Sequence, residues 1–120
     1  MARTNLTVQT CSRTTPLEDP TANAVDAANG NSFDNSSTKV ILIVNNGSGG
    51  NLTLTVDFPQ TLDGLTVADR TYTIPTGEEW VIGPFPSSYN QTNNSLENRV
   101  LLDWSTGTSV TCKVIQVPSA

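Results

Sequence analysis

The chain offers few side chains able to make or break a bond: it has no histidine, two cysteines and eleven carboxylates in 120 residues. Without an imidazole the commonest general base is missing, and neither Cys11 nor Cys112 can draw on the Cys–His pairing that activates a thiol. A serine nucleophile would need help from lysine or aspartate. Both lysines, Lys39 and Lys113, fall in expected strands. Carboxylate pairs remain. Asp57 with Asp103, or Glu78 with Glu79, supplies the acid and the base or nucleophile that glycoside hydrolysis needs. Carboxylates on strands and turns of an acidic chain ordinarily face water, so the sequence reads as non-enzymatic.

Metal chemistry is equally thin. Asp26, Asp34, Asp63 and Asp69 are hard oxygen donors of the type calcium takes, but their spacing matches no EF-hand loop, and Asp-Gly and Asp-Asn pairs are turn formers in their own right. Two cysteines without histidine cannot complete a four-ligand zinc site in one chain. No cofactor is expected. Cys11 and Cys112 lie near opposite chain ends, which often meet in one domain, so a bridge is geometrically open. Two buried thiols are the reading for a chain kept in a reducing cytoplasm. Sequons such as those at Asn5, Asn51 and Asn90 would matter only in a secreted protein.

The net charge is −5, and the six basic residues are scattered singly from Arg3 to Lys113. No positive stripe exists to neutralise phosphates, which argues against nucleic acid and against acidic membrane surfaces as partners. The longest aliphatic run, Val40 to Val44, is a quarter of the roughly 20 residues that a spanning helix needs. Met1 to Asn5 leads into a polar alternation without the apolar stretch of a secretory signal, so synthesis in a cytoplasm is expected. Flat aromatics gather late in the chain. Trp80 alternates with Ile82 and reads as core, whereas Phe85 and Tyr89 follow the end of a strand, where rings suit protein anchoring or sugar stacking. Phe85, set between two prolines, either plugs the end of the fold or docks into a neighbouring subunit.

The elements that must position these groups are strands. Apolar residues make up 36% and charged residues 14%, while 12 Asn, 11 Ser and 18 Thr fill the difference, a mixture that suits half-buried pleated surfaces. Residues 1–120 form one domain. Arg3 to Thr10 alternates with Leu6 and Val8 on one face; a long irregular connection at about 12–38 follows, with at most two helical turns in Thr21 to Ala28. Its length makes it a candidate contact arm. Lys39 to Val44 reads as a central strand buried on both faces, joined in a hairpin to the alternating Asn51 to Phe58 through Asn45 to Gly50. Leu62-Asp63-Gly64-Leu65 turns the chain toward Arg70 to Ile74. Glu79 to Ile82 ends at Gly83-Pro84-Phe85-Pro86, and Tyr89 to Asn98 is a polar loop. Arg99 to Trp104 and Ser109 to Val117 make a last hairpin in which Ile115 and Val117 break parity, through either a bulge or a second covered face. About seven or eight short strands with turn chemistry between them predict an all-β, antiparallel β-sandwich.

One further observation concerns the order of these segments. Asn31-Ser32-Phe33-Asp34-Asn35, a strand and Asn-Gly turn, Leu62 to Thr71, Ile74-Pro75-Thr76-Gly77, and Ile82-Gly83-Pro84-Phe85-Pro86 with Tyr89-Asn90-Gln91 resemble small tailed-bacteriophage head decoration proteins, also described as capsid cement proteins. The resemblance covers about residues 22 to 118 and rests on structural turns. It implies a jelly-roll-like sandwich without enzymatic activity that binds the major capsid protein on the outer face of an assembled capsid, commonly as a homotrimer. The expected location is the virion exterior, and a tail or neck role suits the same module. From another class, a carbohydrate-binding or adhesive sandwich would use Tyr89, Trp80 and Trp104 as sugar platforms. The candidate capsid contacts are Leu6, Val8, Pro16, Leu17 and Pro20. The candidate subunit contacts are Phe85, Pro86 and Tyr89.

Overall fold

The computed structural model describes residues 3–14, 16–17, 22–92 and 97–117. Among the described residues there are twelve strands: β1 (Thr4–Leu6), β2 (Gln9–Thr10), β3 (Asn23–Ala24), β4 (Asn31–Asp34), β5 (Val40–Asn46), β6 (Leu52–Val56), β7 (Thr61–Leu62), β8 (Leu65–Thr66), β9 (Arg70–Ile74), β10 (Glu79–Ile82), β11 (Arg99–Trp104) and β12 (Val110–Gln116). One sheet runs β1-β4-β11-β6-β9. The other runs β10-β5-β12-β2, with β3 also pairing with β12. The expected all-β sandwich is therefore present, with more strands than the seven or eight expected. The excess comes from two-residue segments, β2, β3, β7 and β8, too short to leave a period in the sequence.

Period-two patterning assembles the two layers. Leu52, Leu54 and Val56 of β6 are fully buried while Thr53 is exposed; Val40, Leu42 and Val44 of β5 and Val110, Cys112 and Val114 of β12 are buried likewise. Phe33, Val100, Leu102 and Ile74 complete a single core between the sheets. Each such side chain stabilises the fold by about 1.5–3 kcal/mol, so Leu54→Ala at the centre costs about 2–5 kcal/mol once the cavity is included. β5 holds the central place expected of it, between β10 and β12. Its second face is only partly covered, because Ile41 and Ile43 are half-buried and Asn45 is exposed. At the parity break in β12, Ile115 lies on the outer face beside Ile41 and is buried, whereas Val117 is 47% exposed.

Two expected hairpins are arches instead. β5 and β6 belong to different sheets, as do β11 and β12. Glycine-containing loops permit a tight reversal, but five residues also span the roughly 10 Å between packed sheets, and both ends of both loops bury their apolar residues only by facing each other. Gly47 N–H donates to Ser109 C=O at 3.0 Å, so the two arches lie side by side. The sheets are also mixed. β1 runs parallel to β4, and β2 parallel to β12, because the chain leaves one sheet at Leu6 and enters the other at Gln9. Leu6 and Val8 share the expected core side: Leu6 is buried and Val8 packs against the core at half exposure.

The long connection is more ordered than its sequence suggests. β3 and β4 lie within it, a turn occupies residues 27–29, and no helix forms there among the described residues. Buried asparagines account for this order. The Asn31 side chain donates to Thr4 C=O at 3.1 Å and accepts from Asp26 N–H at 2.9 Å and Trp104 Nε1–H at 2.8 Å. Asn46 donates to Gly50 C=O and Ile74 C=O, bracing the arch between β5 and β6. Asn35 Nδ2 donates to Phe85 C=O at 3.0 Å and to Asn90 Oδ1 at 2.8 Å, tying the end of β4 to the loop beyond β10. At Asn31 and Asn46 both ends of a fully buried amide have partners, which fixes one backbone arrangement, since any slip would strand polar atoms in the core; at Asn35 only the Nδ2 end is engaged, and its Oδ1 is buried without a partner among the described residues.

Candidate functional site

β10 ends at Ile82, and Gly83 follows with a φ of 112°. Phe85, two residues on, faces inward. It is 3% exposed, with its ring centroid 6.1 Å from Phe33 and 5.4 Å from Tyr89. Of the two alternatives open for Phe85, the structure selects the plug, and Phe85 is corrected as a subunit contact because its ring is enclosed by its own chain. Pro86 is exposed and precedes a single 3-10 turn, Ser87–Tyr89. Tyr89 is half-buried: its ring meets Phe58 edge-on at 5.0 Å, and its hydroxyl accepts from Arg70 Nε at 3.1 Å. This bond and the adjacent phenol hold the Arg70 guanidinium above its ordinary pKa, so the cation persists at any working pH.

Tyr89 and Arg70 form a ridge between two shallow clefts. One, of about 360 Å³, is lined by Tyr72, Gly83, Pro84, Phe85 and Pro86 beside the ridge. The other, of about 420 Å³, is lined by Phe58 and residues 67–71. Burial raises the Tyr72 phenol, with Arg70 lowering it by a smaller amount, so Tyr72 stays neutral and able to donate. The arrangement presents one cation, two phenols and two prolines at the sandwich end, a surface suited to grip rather than to proton transfer. Arg70 and Phe58 escaped the sequence reading. Both are separated from Tyr89 by strands, and only the pairing of β6 with β9 brings them beneath it.

The candidate capsid contacts disperse. Leu6 is 3% exposed and anchors β1 in the core, which corrects its assignment to an outer contact: its parity on β1 points it between the sheets. Val8 is half-buried against the same core, Pro16 is exposed, Leu17 is half-buried, and Pro20 lies outside the described residues. The sugar-platform reading of the tryptophans is corrected as well. Trp104 is 6% exposed and bound to Asn31, and Trp80 faces inward beside Val44, its indole N–H donating to Glu78 at 2.9 Å.

The carboxylates have structural partners instead of one another. Asp103 pairs with Arg3 at 2.8 Å, and Asp57 accepts from the Gln91 side chain. Asp26 accepts from Thr4 Oγ1 at 2.7 Å and from Asn29, contacts that lower its pKa. Asp34 accepts from Ser36 N–H and Asp69 from Phe58 N–H, while Asp63 sits in a turn. No three metal-ligating side chains gather among the described residues. Both thiols are free; burial pushes the Cys112 thiol up to about 12, and Cys11 is half-buried beside Gln116 C=O. No helix among the described residues is long and apolar enough to cross a membrane. The chain matches no protein-family model, and neither a curated protein nor a solved structure matches it at a significant level.

Proposed function

We propose that the protein is a non-catalytic docking module, a virion structural protein that decorates and cements the outer face of an assembled bacteriophage capsid as a homotrimer. The observation that carries this reading is the character of the exposed surface. Six carboxylates, Asp26, Asp34, Asp57, Asp69, Glu78 and Asp103, are engaged with neighbouring groups, while Leu62, Leu65, Val81 and Val117 project into solvent from a chain with only 14% charged residues. Apolar side chains left outside a filled core favour protein contact. A trimer touching several lattice subunits gains effective concentration from each weak contact, and binding only the assembled lattice stabilises that state by mass action. The Arg70–Tyr89 ridge, with exposed Pro86 beside it, is the proposed contact on the decorated partner.

Cosedimentation with expanded, assembled capsids tests the reading. Saturable binding, with capsids more resistant to heat when loaded, is the expected result; absence of binding would reject it. A second reading is favoured by one observation, the cleft that Arg70, Tyr72 and Tyr89 line beside Pro84 and Pro86, whose aromatic and cationic walls suit a sugar ring. Glycan-dependent change in tyrosine emission, unaltered by capsids, would choose it.

A further inference from the structure

Among the described residues the four large exposed apolar side chains fall into two groups, one on the separate β7–β8 ribbon and one at the sheet that holds β10, β5 and β12. Leu62 and Leu65, 73% and 71% exposed, are direct cross-strand partners on the β7–β8 ribbon between β6 and β9. The ribbon closes through Asp63 and Gly64, with φ of 54° and 80°, the backbone of a two-residue hairpin turn that sets an aspartate between the leucines. All four of its strand residues are exposed, so none of them is buried against the sandwich. An isolated two-stranded ribbon in water is marginal at best and gains order from a surface to lie on.

The second group lies on the outer face of the second sheet. Register places Val81, Ile43 and Lys113 in one row across β10, β5 and β12, with Ile41 and Ile115 in the next. Val81 is 65% exposed, Ile41 and Ile43 are half-buried, and Val117 projects beyond the end of β12. Lys113 has no carboxylate within salt-bridge distance among the described residues. In a chain of net charge −5, Lys113 stands within these apolar rows, and Lys39 lies just before β5.

We propose that the Leu62–Leu65 ribbon of one copy docks on the Ile41, Ile43, Val81 face of a second copy, with Asp63 beside Lys113. The occupant follows from the match of charge and apolarity: an acid flanked by two leucines meets a cation flanked by three β-branched residues. Such a contact joins two different patches, so successive copies share one rotation, and the homotrimer proposed above is the case in which three such rotations close into a ring. The proposal rests on the oligomeric docking module described above and names the surfaces that build it.

Sedimentation velocity on the full chain and three samples tests it. The wild-type protein should assemble. Leu62→Ser with Leu65→Ser, and Val81→Asp separately, should each sediment as monomers, and at a dilution where the wild type is also monomeric each should melt at the wild-type temperature, since all three sites are exposed. Mixed in equal amounts, the two variants should form dimers and stop there, because one intact ribbon meets one intact face. A wild-type chain still monomeric at about 100 µM, a weak-contact concentration, would overturn the proposal. So would assembly of the ribbon variant, or a mixture that stays monomeric. Capsid cosedimentation of the same samples is read independently. Assembly without capsid binding rejects the functional reading and keeps the interface; capsid binding by a monomer does the reverse.

Discussion

Trp104 Nε1–H donates to Asn31 Oδ1 at 2.8 Å across 73 residues of sequence, and the same oxygen accepts Asp26 N–H. Three segments are thereby clamped on one buried amide: the connection before β4, the strand β4 itself and the end of β11. Asn31→Ala should destabilise by about 2–3 kcal/mol, because the indole N–H, an amide N–H and Thr4 C=O all lose their partner in a dry site. Trp104→Phe, which leaves the Asp26 bond in place, should cost less through the hydrogen bond alone, about 1 kcal/mol, plus its smaller ring. Denaturant melts of both single variants and the double variant would show strong non-additivity.

Gly30 offers a sharper local test. Its φ is 80°, and an added Cβ would fall onto the Arg3 guanidinium and 2.8 Å from Asp103 Oδ1. Gly30→Ala should break the Arg3–Asp103 pair and free β1 from β4. The ion pair itself is half-exposed and contributes at most about 1 kcal/mol, so the larger loss comes from backbone strain. Amide exchange at Asn31 to Phe33 should quicken, while exchange in β5 stays slow.

Alkaline pH should weaken the fold through Cys112. Its folded pKa of about 12 lies above the ordinary 9.0, so between these values the folded thiol keeps a proton that the unfolded one releases. Folding then binds a proton, and stability falls as pH rises through this window, by up to about 1.4 kcal/mol per pH unit. Tyr72, also raised by burial, adds loss of the same sign at higher pH. Cys112→Ala should flatten the slope of unfolding free energy above pH 9. With a thiol reagent at neutral pH, Cys11 should react first and Cys112 only on unfolding.

Tyr89→Ala should lower capsid affinity at least tenfold, as removal of a central aromatic anchor does, with a small loss of melting temperature. Tyr89→Phe keeps the edge contact with Phe58 and gives up only the bond from Arg70, so binding within about threefold of wild type is expected. Binding isotherms on purified capsids measure both. Equal binding by Tyr89→Ala would remove the ridge from the contact.

The sequence by itself determined the longer strands and which side of each is apolar: Leu52, Leu54 and Val56 alternate with threonine, and Val40 to Val44 reads as a central strand and is one, whereas β3 and β4 lie inside the segment that reads as irregular. It also marked Gly83 to Pro86 as a strand end and Leu62 to Leu65 as a turn, because proline and positive-φ chemistry act within a few residues. Only the tertiary structure decided which sheet each strand joins. A glycine-rich loop serves a hairpin or an arch equally well, and the choice follows from burying two apolar faces against each other. The Asn31–Trp104 clamp and the Arg70–Tyr89 ridge were hidden for the same reason: hydrogen-bonding side chains carry no period, and their partners are set by strand order across the fold. Sequence spacing reports neighbours along a strand, whereas these contacts run between strands.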